Sequence, residues 1–210
     1  MSQPFFDRIK EVLTKDLPGK AYQNQMASPF RFDYNADFDL RQEGSVLLLM
    51  YPSESTIQVV FIRKPFHNGI HGGQISLPGG RIESSDPSFT AAALRETEEE
   101  IGVAADAIKV LGSLTPIYVP ASNFQVYPFV GYTEHKPNYH PSPHEVQQII
   151  EVSLNKFVNQ ENRGIKILVR DDKPLKAPCF NVDNHQIWGA TAMILSEFVE
   201  VVNRTDAITF

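Results

Sequence analysis

The chain is poor in features that would settle its class at a glance. It has one cysteine, Cys179, in 210 residues. That excludes an intramolecular disulfide and leaves no Cys/His zinc set. No run of about eighteen apolar residues occurs, so no transmembrane span is expected. The start, MSQPFFDRIKEVL, lacks the basic and apolar stretches of a signal peptide, and Ile208-Thr209-Phe210 is not a peroxisomal address. Basic residues are outnumbered, 19 Lys and Arg against 25 Asp and Glu, for a net charge of −6. That balance argues against nucleic acid as a partner. There is no G-x4-G-K-[ST] phosphate loop, and Gly79-Gly80 does not form the G-x-G-x-x-G of a dinucleotide fold. No internal repeat occurs. These absences leave a cytoplasmic protein, with no membrane and no nucleic-acid partner, of a length that suits one domain.

What is present centres on Leu77 to Val103, LPGGRIESSDPSFTAAALRETEEEIGV. A proline–glycine turn leads through a polar loop into a helix. Asp86 is a candidate N-cap and Pro87 suits the first helical position. Gly102 ends the helix, so it is expected from about Pro87 to Ile101. At roughly 100° per residue, Glu96, Glu99 and Glu100 share one face, with Ala92 and Ala93 on the same side leaving space. Leu94, Ile101, Thr90 and Thr97 should face the core. Arg95 stands four before Glu99 and can pair with it. Three like charges so close destabilise a bare helix but suit a divalent cation, which takes carboxylate oxygens, water and substrate phosphate. A solvated acidic face is the alternative.

Around this stretch, Pro4–Leu13 reads as an amphipathic helix, which could pack at home or against a second copy in a homodimer. Residues 1–44 read as that helix plus a peripheral wrap, and 45–210 as the main domain. Ser45–Met50 and Thr56–Arg63 read as a hairpin of strands, with further strands at Ile108–Leu114 and Phe124–Tyr132. A last helix follows Ile187-Trp188-Gly189 to about Val202, with Trp188 read as core.

The central stretch resembles the Nudix box, G-x5-E-x7-R-E-U-x-E-E-x-G-U, where U is bulky and apolar. Gly80, Arg95, Glu96, Glu99, Glu100, Gly102 and Val103 match. One extra residue separates Gly80 from Arg95, Asp86 stands at the first acidic position, and Thr97 at an apolar one. The first two departures resemble the coenzyme A diphosphatase branch of the family. So does the preceding segment, H-x-G-Q-[VI]-x-F-P-G-G after a strand-ending arginine, matched by Arg63, His71, Gly73, Gln74, Ile75, Pro78, Gly79 and Gly80. Leu77 replaces the phenylalanine, and Asn68-Gly69-Ile70 replaces a leucine–arginine pair. Similar segments continue to about residue 202.

The resemblance implies an α/β fold, an α/β/α sandwich around a mixed sheet. It implies hydrolysis of a nucleoside diphosphate linkage with Mg2+ or Mn2+, most specifically in coenzyme A or its thioesters. By the family pattern Glu99 and Glu100 would be metal ligands, Glu96 a ligand or the base, and the Gly79 carbonyl a further ligand. Arg95 would hold the glutamates. Arg63, His71, Gly73 and Gln74 would meet the nucleotide substrate. Glu145 and Glu151 are candidates for an extra ligand or base. An ADP-ribose-like or dinucleotide substrate is the alternative, and a ligand-sensing module without catalysis the other.

Overall fold

The computed structural model describes residues 3–29, 41–54, 56–66, 73–170 and 173–205. Its centre is strand β1, Gln42–Pro52. The run Val46 to Tyr51 is apolar without alternation because both faces of this strand are covered. Leu48 and Met50 enter a cluster on one face of the sheet. Leu47, Leu49 and Tyr51 enter a second cluster on the other face.

Four partners flank β1. On one edge β2, Ile57–Arg63, pairs with its second half and β4, Gly79–Arg81, with its first, both antiparallel. On the other edge lies β7, Phe124–Tyr132, parallel to it over the full register from Gln42↔Phe124 to Met50↔Tyr132. The fourth is helix α3, Phe89–Ile101, which packs across its face. β3, Ile75–Ser76, extends the β2 edge, and β5, Lys109–Ser113, and β6, Ile117–Val119, pair with β7. β8, Gln148–Ser153, closes the far side of β2. The sheet is therefore mixed, as the α/β expectation required.

Helix α1, Gln3–Leu13, lays Phe5, Phe6, Ile9 and Leu13 into the larger cluster, so it packs at home. Phe6 stacks on Tyr132 with ring centres 3.8 Å apart. On the same side lie α4, Leu154–Val158, and α5, Gly189–Asn203, whose side chains are buried almost all round. The segment expected as a peripheral wrap holds α2, Lys20–Gln23, and one 3₁₀ turn, and it contributes the buried Gln23 and Met26. Gln23 belongs there because Glu197 of α5, fully buried, accepts from its Nε2 at 2.8 Å, from Gly19 N at 3.1 Å and from the Thr115 hydroxyl at 2.7 Å. A buried carboxylate persists only when its oxygens are satisfied in this way.

One unit was not foreseen from the sequence. β9, Arg163–Arg170, β10, Lys173–Val182, and β11, His185–Trp188, form a separate three-stranded antiparallel sheet. One face covers the core through Phe180, Val182 and Ile187.

Candidate active site

Two glycines and one helix build the site. Gly79 has φ 143°, and a Cβ there would lie 2.3 Å from Ser45 O and 2.6 Å from Val46 Cα. Only glycine lets β4 press this closely on β1. The Gly79 N–H then donates to Glu100 Oε2 on α3 at 2.7 Å. At Gly80 a Cβ would meet Glu96 Oε2 at 2.4 Å, so the Glu96 carboxylate rests over the bare backbone.

α3 supplies those carboxylates. It starts at Phe89, two residues later than expected, and its N-cap is Ser88, whose hydroxyl accepts from Ala91 N at 3.1 Å. Asp86 is not the cap. Its carboxylate accepts from Glu83 N at 2.8 Å and takes a two-pronged contact from Arg95, both bonds at 2.9 Å. A paired guanidinium outcompetes free backbone N–H groups for a carboxylate. Gly102 closes the helix in the left-handed conformation, as expected.

Thr97 and Ile101 are buried, as expected, but Ala92, Ala93 and Glu100 are buried with them, while Leu94 is only half-buried. The two alanines therefore bring the helix close to the sheet rather than leaving space above the glutamates. Glu100 is 3% exposed and Glu96 17%, whereas Glu99 is 53% exposed. The three carboxylates thus stand at three depths.

Arg95 holds the outer part together. Besides Asp86, its Nη1 reaches Glu96 Oε1 at 3.1 Å and Glu99 Oε2 at 2.9 Å, and its Nη2 donates to Arg81 O at 3.0 Å. Bonding to Arg95 first, and to Glu83 N–H second, holds Asp86 below the usual carboxylate range. Burial pushes Glu96 up, against the opposing pull of Arg95. Burial pushes Glu100 up to about 7, although Lys64 and the Gly79 N–H pull the other way. Lys64 was not singled out from the sequence, yet its Nζ lies 3.4 Å from Glu100 Oε1.

The glycine turn and Lys64 connect this constellation to a cleft of about 720 Å3, which the glutamates themselves do not line. Lys64, Gln74, Gly79, Gly80 and Arg81 line its polar end, and Phe124, Leu168, Leu175, Trp188 and Met193 its apolar wall. Trp188 was expected in the core; it stands half-buried in the cleft wall at the N-cap of α5. Gln74 lines the cleft, and Gly73 precedes it at φ 70°. Arg63 is directed elsewhere. Its Nη2 lies 3.1 Å from His185 Nδ1 on β11, outside the cleft lining. His71 lies outside the described residues. Glu151 is engaged by Tyr51 and Tyr139 hydroxyls at 2.6 and 2.8 Å and by Lys136 at 2.6 Å, which suits a structural carboxylate. Glu145 is exposed on the loop before β8.

The donors suit a hard divalent cation. The Glu96 and Glu100 carboxylates both lie against the Gly79–Gly80 backbone, and the absence of a side chain on Gly80 lets Glu96 come this close. Among the described residues no three acidic, histidine or cysteine side chains stand together as a finished ligand set. Arg95 and Lys64 occupy the carboxylates instead.

A mixed sheet with a glycine turn beneath an Arg-Glu-x-x-Glu-Glu helix is the arrangement that the resemblance to Nudix hydrolases implied. The chain belongs to the NUDIX domain family, whose profile matches residues 41–170. It is 28% identical over 204 residues to the uncharacterized Nudix hydrolase NudL of Yersinia enterocolitica, covering 97% of this chain and 100% of that protein. Over 127 residues it is 33% identical to the Citrobacter koseri NudL, covering 60% and 66%. Among solved structures it resembles the Nudix hydrolase RenU from M. smegmatis, with TM-score 0.54 at 16% identity over 78% of this chain and 87% of that one. A MutT/nudix family protein from Enterococcus faecalis gives TM-score 0.52 at 16% identity, over 90% and 76%. Divalent-metal dependence is general in this family.

Proposed function

We propose that the protein hydrolyses the diphosphate linkage of coenzyme A or its thioesters, with Mg2+ or Mn2+, to 3′,5′-ADP and a 4′-phosphopantetheine product. The observation that carries the reaction is that the Glu96 and Glu100 carboxylates both lie against the Gly79–Gly80 turn, which lines the polar end of the cleft. We assign Glu96, Glu99, Glu100 and the Gly79 carbonyl as the groups that would hold the cation. Bound there, a divalent ion neutralises diphosphate charge and lowers the pKa of a coordinated water.

The remaining work falls to the chain. Arg95 fixes Glu96 and Glu99 through charge-assisted bonds, and Asp86 anchors Arg95 from the other side. Glu96, half-buried with its affinity for protons raised, suits a general base as well as a ligand. Gln74, which lines the cleft, and Gly73 are assigned to the nucleotide on the family pattern. Arg63, which lies against His185, and His71 are kept as substrate contacts on the strength of the family pattern alone. The apolar wall from Phe124 to Trp188 suits the pantetheine arm of coenzyme A, which an ADP-ribose-like substrate lacks. A reducing cytoplasm suits the buried, unpaired Cys179.

The test is turnover of coenzyme A, an acyl-coenzyme A, ADP-ribose and NADH with Mg2+ and with Mn2+, products identified by mass. Release of 3′,5′-ADP faster than ADP-ribose cleavage supports the assignment. Equal or slower turnover of coenzyme A moves the substrate to the alternative class. No turnover of any diphosphate points to a ligand-sensing module.

A further inference from the structure

We propose that Lys64 is a counter-ion built into the site, which balances Glu100 in the metal-free protein and passes to a substrate phosphate once the cation is bound. The inference rests on the metal-dependent diphosphatase reading above.

The placement of Lys64 follows from strand geometry. β2 ends at Arg63, and side chains alternate along it. Phe61 faces the larger cluster and Ile62 the smaller. Arg63 continues the first side and reaches β11. Lys64 therefore falls on the side of α3. Its backbone is fixed, because Lys64 N donates to Gln74 O at 3.0 Å. The side chain alone is free to pivot, and it is 33% exposed.

Its head meets a carboxylate that has little else. Glu100 is 3% exposed; one oxygen takes the Gly79 N–H at 2.7 Å and the other faces Lys64 Nζ at 3.4 Å. A buried carboxylate needs positive charge beside it, and here the chain provides it. A divalent ion on Glu100 would bring a second positive charge to the same oxygen, so the ammonium must leave. Lys64 also lines the cleft with Gly80 and Arg81. Lysine is a compact charge on a flexible stem, and a diphosphate in that cleft offers it the next anion. The lysine thereby orders the reaction: the cation displaces it, and the displaced head receives the substrate.

The test uses the full chain with Lys64→Met and Lys64→Arg beside the wild type. Mn2+ binding without substrate is read by calorimetry, the melting temperature in chelator by circular dichroism, and KM and kcat on the best diphosphate substrate by product release. Lys64→Met should bind Mn2+ several-fold more tightly and melt lower in chelator. Its KM should rise about tenfold, the loss of one charge-assisted contact, with kcat changed less. Lys64→Arg should restore KM towards wild type. Unchanged or weaker Mn2+ binding by a folded Lys64→Met overturns the counter-ion role, and an unchanged KM overturns the transfer to phosphate. A wild type that binds no Mn2+ and cleaves no diphosphate is a different failure, that of the reading beneath.

Discussion

The two glycines of the turn make a matched pair of perturbations with opposite expected outcomes. In Gly80→Ala the new methyl meets only the end of the Glu96 side chain, at 2.4 Å from Oε2, and ordinary contact begins at 3.4 Å. The carboxylate must retreat by about 1 Å, a displacement that can lower a rate about 100-fold. The backbone need not move, because the group in the way is flexible and φ at Gly80 is not in the left-handed region. Gly80→Ala should therefore melt within a few degrees of wild type and lose kcat. In Gly79→Ala the methyl meets backbone, 2.3 Å from Ser45 O, at φ 143°. Neither can yield, so the β1–β4 pairing opens and the fold itself should suffer. The assay is kcat with the substrate that gives the highest turnover, beside thermal melts of both variants. Gly80→Ala with wild-type kcat would refute the placement of Glu96 in the reaction. Gly79→Ala with wild-type stability would refute the close approach of the two strands.

Three further outcomes are expected. In chelator, Glu100 carries a proton affinity raised from the ordinary 4.5 to about 7, so its stabilising form is the protonated one, present below the unfolded pKa and lost as pH rises through 7. Glu100→Gln should accordingly outlast wild type at pH 8 by up to about 3 kcal/mol, but not at pH 4, in urea titrations, and should lose activity; an equal difference at both pH values would refute the burial argument. Arg95→Lys keeps the charge but loses the two-pronged grip on Asp86 and the reach to Arg81 O; kcat should fall at least about tenfold, and near-normal kinetics would show that the fork is dispensable. Glu197→Ala leaves Gly19, Gln23 and Thr115 donors buried without their acceptor, and chemical denaturation should register a loss of about 3–5 kcal/mol.

Much of this was legible because it is local. Gly102 as helix stop and the Arg95–Glu99 pair depend on spacing within one helix, and both are found. β1 could be read as a strand because a short unbroken apolar run needs cover on both faces. The errors arose where a local rule met a distant partner. Asp86 has the composition of a cap, but Arg95 takes it, nine residues on, and Ser88 caps instead. Lys64 gives no signal in the sequence beyond following the strand-ending arginine, because Glu100 meets it only through the sheet register. Trp188 opens an apolar helix, which suggested core; its neighbours in the cleft come from β7, β9 and β10. The β9–β11 sheet went unread because Pro174 and Pro178 interrupt the strand pattern of β10.

The parallel pairing of β1 with β7 sets an order of events on the growing chain. Gln42 and its partner Phe124 are separated by about 80 residues, and such contacts return nothing until a long loop has closed. The part of β1 that seats the glycine turn, Gly44–Val46, has β4 on one edge and β7 on the other. Until Tyr132 has been synthesised and β7 has docked, that part of the sheet is an open edge. The residues of the helix with its glutamates leave the ribosome before β7 does, and so short a helix gains its stability only from the sheet that β7 completes.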